Sequence, residues 1–589
     1  MARRLAVQFA LSISLAGALV LGVFAQQAPP PPTTPPAVQT PAPTPSPRPS
    51  PPDVAAMNAA IGVRDAAERL AALEKFKSDF ATSSLVSTAD SQILSTLATM
   101  PGRAADVPAA LDRVLARIPD NAVPEQRLSL VVAAATPLVN GKILLDRAES
   151  LVSGALKGLD FNEYAERQRT TAKNANRPEP VTETLRSTFD TTYRGRALEL
   201  MGRIYTANGD TAKAEATYRD LIKAVPSNGA AALSLARLEQ ARGDDAAALE
   251  HFLAAKIAGS IRSSEDDKKL ADLFVKVRGS ASGMEAAIDK LYRSTFPNPV
   301  TPESYKPSDK RTDRVVLLEM FTGSGCPPCV SADLAMDAAM ERYSSKEIIA
   351  IAYHQNIPAP DPMVVAGGVG RKEYYAVSGV PTFNIDGAMG QVGGGARTAT
   401  PNTYAGYVKS IDQALEQPSQ AAISVRATAS GDAITVKAAV SKMAEDITDA
   451  RLHLVVVERE LKFIGENGIR LHPMVVRAVA GERGAGLPIA GNGITEYSFS
   501  LAAIQKDVEA TLKAEMEKRR KDAANATREF SAEGNAMTHI DAGDLMVVAF
   551  VQRGAFKKDT RFNPAMTNVL QAAAVNVTNA ASGPKSGGR

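Results

Sequence analysis

Phe321-Thr322-Gly323-Ser324-Gly325-Cys326-Pro327-Pro328-Cys329 is the stretch on which the reading of this 589-residue chain turns, because it holds both of the chain's cysteines. Two cysteines dropped at random along such a length would fall at this spacing roughly once in three hundred placements, so the pair points to a working dithiol. An apolar run, residues 315–321, leads into the motif and reads as a buried strand. A helix is expected from the cysteines to about residue 343. After it come a second apolar strand over 347–353, a helix around 371–375, strands after Pro381 and a closing helix over 402–415. A β-α-β opening followed by a late hairpin and helix predicts an α/β unit over residues 308–418.

A buried strand, a short loop and Cys-x-x-Cys opening a helix resemble the thioredoxin superfamily. A second element, Ser378-Gly379-Val380-Pro381-Thr382-Phe383, looks like that superfamily's cis-proline loop and follows about fifty residues on. The resemblance implies a cis bond between Val380 and Pro381, a loop lying beside the nucleophile, and Val380, Pro381 and Thr382 as contacts for a substrate backbone. The alternative is an ordinary proline that starts a strand. Cys326 is expected at the helix N-cap, where unpaired N–H groups and the positive end of the helix dipole favour a thiolate, which makes it the nucleophile. Cys329, one turn deeper, is expected to resolve the mixed disulfide. Pro327 and Pro328 bring no N–H, leaving that of Cys329 nearest to the Cys326 thiolate, and no charged or imidazole side chain stands between the cysteines. That composition leans toward a reductant within a class spanning about −270 to −120 mV.

The motif also departs from the superfamily. Gly325 stands where tryptophan is frequent, and the chain has no tryptophan at all. A buried acid often precedes the motif in the strand, but register puts Met320 there, and Glu319 should point to the opposite face. A proton acceptor for Cys329 is therefore unassigned. His354 ends a strand on the same edge and is a candidate to assist, with a solvated loop histidine as the alternative. The loop Ile357-Pro358-Ala359-Pro360-Asp361-Pro362 is placed to rim the site. His251, His354, His453, His472 and His539 show no metal-ligand spacing with one another, and Gly393-Gly394-Gly395 reads as a turn. No cofactor is implied beyond the redox-active cysteine pair.

The rest of the chain supplies context. Arg3 and Arg4 followed by an apolar stretch predict a signal peptide over residues 1–25, or an anchor if it is retained, and hence an extracytoplasmic location in the periplasm or cell envelope. Residues 26–54 form a proline-rich linker. Residues 55–295 carry helical periodicity and resemble tetratricopeptide repeats. Asn208-Gly209-Asp210 recurs as Arg242-Gly243-Asp244, 34 positions on, with Gly202, Tyr205, Ala214, Tyr218 and Pro226 in the first unit. The second unit keeps Ala236, Ala248 and Phe252 but has Glu239 and Ser260 in place of tyrosine and proline. Residues 419–579 alternate with period two and predict an all-β sandwich interrupted by a charged helix over 501–522, with a disordered tail over 580–589.

The expected fold class is thus multidomain: an all-α helical repeat, an α/β thioredoxin-like domain and an all-β sandwich. Pairing an α/β unit with a β-rich one that contains Gly465-Glu466-Asn467-Gly468-Ile469-Arg470 also looks similar to bacterial envelope thioredoxin-like proteins. A net charge of +3, balanced between 67 basic and 64 acidic side chains, argues against nucleic acid as a partner. The reading is an exported thiol-disulfide oxidoreductase that acts on protein disulfides, with an unknown redox partner and docking on the helical repeats. The rival is an envelope scaffold whose dithiol is idle or regulatory.

Overall fold

The computed structural model describes residues 51–520, 537–554 and 568–579. The expected targeting segment, the linker up to residue 50 and the tail lie outside the described residues. Among the described residues the chain opens with fourteen α-helices, α1 to α14, running from Pro52–Ile61 to Met284–Thr295. Helix α1 begins inside the stretch expected as linker, because proline is already set for the first helical turn and its missing N–H costs nothing there.

The repeat is carried by two helix hairpins, α9 (Gly195–Asn208) with α10 (Thr211–Ala224) and α11 (Gly229–Ala241) with α12 (Asp245–Ile257). Both close alike. A glycine at positive φ follows the first helix, Gly209 at 77° and Gly243 at 87°. The next residue, Asp210 or Asp244, then accepts from the N–H three positions on and caps the second helix. Between α9 and α10 the Tyr218 ring lies on Gly202, where a Cβ would stand 2.4 Å from the ring. Ala236 and Phe252 occupy the matching places in the second hairpin, both fully buried. Glu239, the departure noted in the second unit, is also buried, and is held by Arg219 at 2.5 Å and His251 at 2.7 Å. An ion pair there replaces the aromatic filler.

The α/β unit follows: β1 (Val316–Thr322), α15 (Cys329–Arg342), β2 (Ile348–His354), α16 (Ala366–Tyr374), β3 (Thr382–Ile385), β4 (Ala388–Val392) and α17 (Thr400–Leu415). Strand β1 is buried on both sides. Its Leu318 and Met320 pack with Ala332, Ala335 and Met336 of α15 and with Tyr407 and Ile411 of α17. Leu317 and Phe321 face the other way, toward Tyr353 and Tyr375. Glu319 shares that second face, as its register requires, and is fully buried against Arg371 at 2.7 Å and the Tyr375 hydroxyl at 2.5 Å.

The β-rich part contains β5 (Ala422–Ser430), β6 (Ala433–Ser441), β7 (Arg451–Lys462), β8 (Leu471–Val479), β9 (Leu487–Pro488), β10 (Gly493–Ser500), α18 (Leu501–Arg520), β11 (Leu545–Gln552), β12 (Val569–Asn576) and β13 (Thr578–Asn579). It forms the expected two packed sheets, but one of them is the α/β unit's own sheet carried onward. The strand order is β12-β11-β7-β8-β2-β1-β3-β4, with β9 against β7, and the second sheet is β10-β6-β5-β13. The seam is the parallel pairing of β2 with β8 at Ala352 and Val475. One apolar core therefore runs from Phe321 and Tyr353 to Val436, Val456 and Phe550. The charged helix α18 buries one side, with Ile504, Val508 and Leu512.

Helix packing at Gly202 gives a direct test. Gly202→Ala should destabilise the helical region by about 1–3 kcal/mol through overpacking against Tyr218. Gly154→Ala, in a helix where a new Cβ meets no atom within 4 Å, should leave stability unchanged or raise it by up to about 1 kcal/mol. Thermal unfolding followed by circular dichroism measures both.

Candidate functional site

Cys326 and Cys329 are joined as a disulfide, with Cα atoms 5.3 Å apart. The sulfurs are covered: Cys326 is 2% exposed and Cys329 is fully buried, whereas Pro327 and Pro328 between them are exposed. Cys326 is not the helix N-cap. Its carbonyl accepts from the Cys329 N–H at 3.1 Å, which closes a turn, and α15 begins at Cys329 with Pro328 as its N-cap. The Cys329 N–H expected to face the Cys326 sulfur is thus engaged by the Cys326 carbonyl in this oxidised form.

Strand β3 brings the second element to the pair. The Val380–Pro381 peptide is cis, and Cys326 Sγ lies 3.9 Å from the Val380 carbonyl oxygen. Pro381 and Thr382 are buried, and the Thr382 hydroxyl donates to the Gly379 carbonyl at 2.9 Å. The glycine run expected as a plain turn is a strap between the two elements. Gly393 N–H donates to the Pro381 carbonyl at 2.9 Å, Gly395 N–H donates to the Pro328 carbonyl at 2.8 Å, and Ser331 N–H donates back to Gly395 at 3.1 Å. A Cβ on Gly394 would stand 2.2 Å from the Pro328 oxygen and 2.9 Å from Pro381. Only glycine fits between the Pro328 carbonyl and the Pro381 ring.

The proline-rich loop rims the pair as expected, since a Cβ on Gly323 would meet the Ile357 carbonyl at 2.7 Å and one on Gly325 would meet Ala359 at 3.2 Å. Its Asp361 is the anchor. One carboxylate oxygen accepts from the Ser324 N–H at 2.6 Å and pairs with His354 Nδ1 at 2.8 Å, while the other accepts from the Met363 N–H at 2.9 Å. Burial alone would raise the Asp361 carboxyl, but the charge and hydrogen bond of His354 and the two N–H groups outweigh it and hold the carboxyl at about 2. His354 is therefore no solvated loop residue: it is 3% exposed, and its ring meets that of His472 edge-on at 5.2 Å. Burial and the neighbouring His354 hold His472 down at about 4.

The strand before the motif offers no buried acid on this face, and α15 supplies one. Asp333 is four residues beyond Cys329, on the same helical face and below it. It is buried, and burial pushes its carboxyl up to about 7 against the pull of the Thr322 hydroxyl and of His354. Register had put Met320 on this face, and it is there, but as packing for α15. The helical spacing Cys329–Asp333 was the available signal.

The β-rich part reaches the pair as well. In the loop of residues 463–470, Asn467 N–H donates to the Ser324 carbonyl at 3.0 Å, and a Cβ on Gly325 would stand 3.6 Å from a Glu466 carboxylate oxygen. Among the described residues no group of three or more His, Cys, Asp or Glu side chains is arranged to hold a metal, and no helix is long and apolar enough to cross a membrane.

The two aspartates impose opposite pH dependences on stability. Asp333 rises from 3.8 to about 7 on folding, so the folded chain holds the extra proton, and stability declines as pH climbs from about 4 to about 7. Asp361 falls from 3.8 to about 2, so its contribution is complete above about 4 and is lost as pH drops toward about 2. Asp333→Asn should remove its share of that decline, leave the share of Asp337, which burial pushes up to about 8, and leave the chain more stable than wild type at pH about 8, as read from denaturant midpoints across pH.

No family model matches the chain, and no curated protein matches it. Among solved structures, HBP35 of Porphyromonas gingivalis is similar over 48% of this chain and 81% of its own, at 18% identity and a TM-score of 0.31, which is too remote to bear on function.

Proposed function

We propose that the chain is a thiol-disulfide oxidoreductase of the thioredoxin type, acting on protein disulfides outside the cytoplasm. The observation that carries this reading is the joining of the chain's two cysteines at the mouth of α15, with the Val380 carbonyl 3.9 Å from Cys326 Sγ. A buried dithiol meant only as a staple would have no use for an ionisable carboxyl one turn below it. Here Asp333 lies there with a carboxyl pushed up to about 7, where it can take or give a proton near neutrality. The N-terminal basic and apolar segment supports export.

In the reducing direction the cycle starts from the dithiol. The Cys326 thiolate attacks one sulfur of a substrate disulfide, forming a mixed disulfide and releasing the first substrate thiolate. Cys329 gives its proton to the Asp333 carboxylate and attacks Cys326 Sγ. The second substrate thiolate leaves and is protonated, and the pair ends as the disulfide seen here. Two electrons have passed to the substrate, so a dithiol protein reductant must return them to Cys326 and Cys329. The exposed rim of Pro327, Pro328, Ser378 and Val392 is the approach left open to a substrate, and its apolar character suits an extended peptide segment laid along Val380.

Trapping tests the reading. Cys329→Ser should accumulate mixed disulfides with exported proteins through Cys326, and the additional Cys326→Ser change should abolish them. If the single variant gives no adducts in cells whose export is intact, the pair is not working on protein disulfides and the scaffold reading takes its place.

A further inference from the structure

Residues 463–470 lie between the cysteine loop and the helical region and bond to both. Toward the cysteines, Asn467 N–H donates to the Ser324 carbonyl at 3.0 Å, and its side-chain Nδ2 donates to the Gly323 carbonyl at 3.3 Å and to the Cys326 carbonyl at 3.5 Å. Asn467 Oδ1 accepts from the Ile469 N–H at 3.0 Å, which fixes the amide's orientation. Gly465 presses on the same loop, for a Cβ there would stand 2.4 Å from the Ser324 oxygen. Ile469 packs with Val330 and Leu334 on the first turns of α15.

Toward the helical region the contacts are as specific. The Tyr292 hydroxyl of α14 donates to the Gly468 carbonyl at 3.0 Å and accepts from the Arg470 N–H at 3.2 Å, so it grips the loop on either side of Ile469. The Arg470 guanidinium is fully buried and is held by Glu285 at 2.6 Å and Asp289 at 2.9 Å, both on α14. Asp289 also takes Lys462, the last residue of β7, at 2.6 Å. A buried guanidinium paired to one helix ties the loop's position to that helix.

We propose that this loop is a clamp through which helix α14 of the helical region sets the reactivity of Cys326, with Asn467 as the positioning residue. The inference rests on the thiol-disulfide reading and adds to it a line of communication from the helical region to the cysteines. A peptide's carbonyl and the N–H that follows it point in opposite directions. Seating the Gly323 and Ser324 carbonyls on Asn467 therefore fixes where the Ser324 and Gly325 N–H groups point, and the first of these is the one Asp361 takes. The same donors offset carbonyl dipoles beside the sulfur that would otherwise oppose a thiolate. Withdrawing Asn467 frees those dipoles and loosens the loop. A shift of α14 moves Asn467 through Tyr292 and Arg470.

The test measures Cys326 in the reduced full-length chain carrying Cys329→Ser, which leaves one thiol, with iodoacetamide as the probe at neutral pH. Asn467→Ala should slow alkylation roughly fivefold, the size of one ordinary lost hydrogen bond. Asn467→Asp, near in shape but with no side-chain donor, should slow it further. Tyr292→Phe, remote from the sulfur, should slow it by roughly twofold to threefold, with little added in the double variant with Asn467→Ala, because both act through one loop. Unchanged alkylation in Tyr292→Phe overturns the coupling, and so does a double variant whose effects simply multiply. Alkylation needs no protein substrate. A chain that forms no mixed disulfides but shows these rates would therefore sink the proposed function alone, and one that forms them with unaltered rates would sink the clamp alone.

Discussion

The buried carboxylate of Asp361 is the constraint around which the site is arranged. A charge without solvent must be paired and hydrogen-bonded, and Asp361 meets that demand with the Ser324 N–H, the Met363 N–H and the His354 ring. Each partner belongs to a different piece: the cysteine loop, the proline-rich loop and the end of β2. Satisfying one carboxylate thus fixes the cysteine loop against the strand that neighbours β1 and brings the proline-rich loop over it. Asp333 lies in the field of the same pair, and His472 carries the contact on to Phe463, where the clamp loop begins. Charged, neutral and shifted groups sit in sequence from the sulfurs to the β-rich part, and their different surroundings set them apart.

A second dependence is topological. The sheet of the α/β unit does not end at β2 but continues into β8, β7, β11 and β12, so the β-rich part is built onto the edge that the cysteine loop overhangs. On the far face of β1, Glu319, Arg371 and Tyr375 make a buried polar knot that reaches Gln552 of β11 through Arg371 at 3.0 Å. Its members satisfy one another, which makes the joint specific as well as tight. Site, sheet and sandwich are therefore one packed body, and Asn467 can reach the cysteine loop because β7 and β8 deliver it there.

Much of this was legible in the sequence where a single element carries the signal. The Cys326–Cys329 spacing, the alternation that puts Met320 and Glu319 on opposite faces of β1, and the 34-residue recurrence of Gly209-Asp210 as Gly243-Asp244 each rest on local geometry, and each appears in the structure. What escaped reading depends on neighbours far along the chain. An aspartate on a helix looks solvated until Thr322 and His354 are folded against it, as happens to Asp333. His354 looked like a loop residue because its partner sat among prolines. Gly393 to Gly395 read as a turn, since the need for glycine comes from Pro328 and Pro381 closing in from two other elements. The shared sheet was hidden for a related reason: the β2–β8 seam is a parallel pairing across more than a hundred residues, recorded at Ala352 and Val475, and no local pattern announces it.

A redox titration of the pair in the folded, full-length chain, with both thiols counted by alkylation at each glutathione ratio, separates a working dithiol from a staple. A working pair converts reversibly, by two electrons, from the Cys326–Cys329 disulfide to the dithiol at a potential above about −300 mV, with the fold intact throughout. A pair that stays oxidised below that potential and yields its thiols only when the chain unfolds would be a structural staple, and would overturn the thiol-disulfide reading.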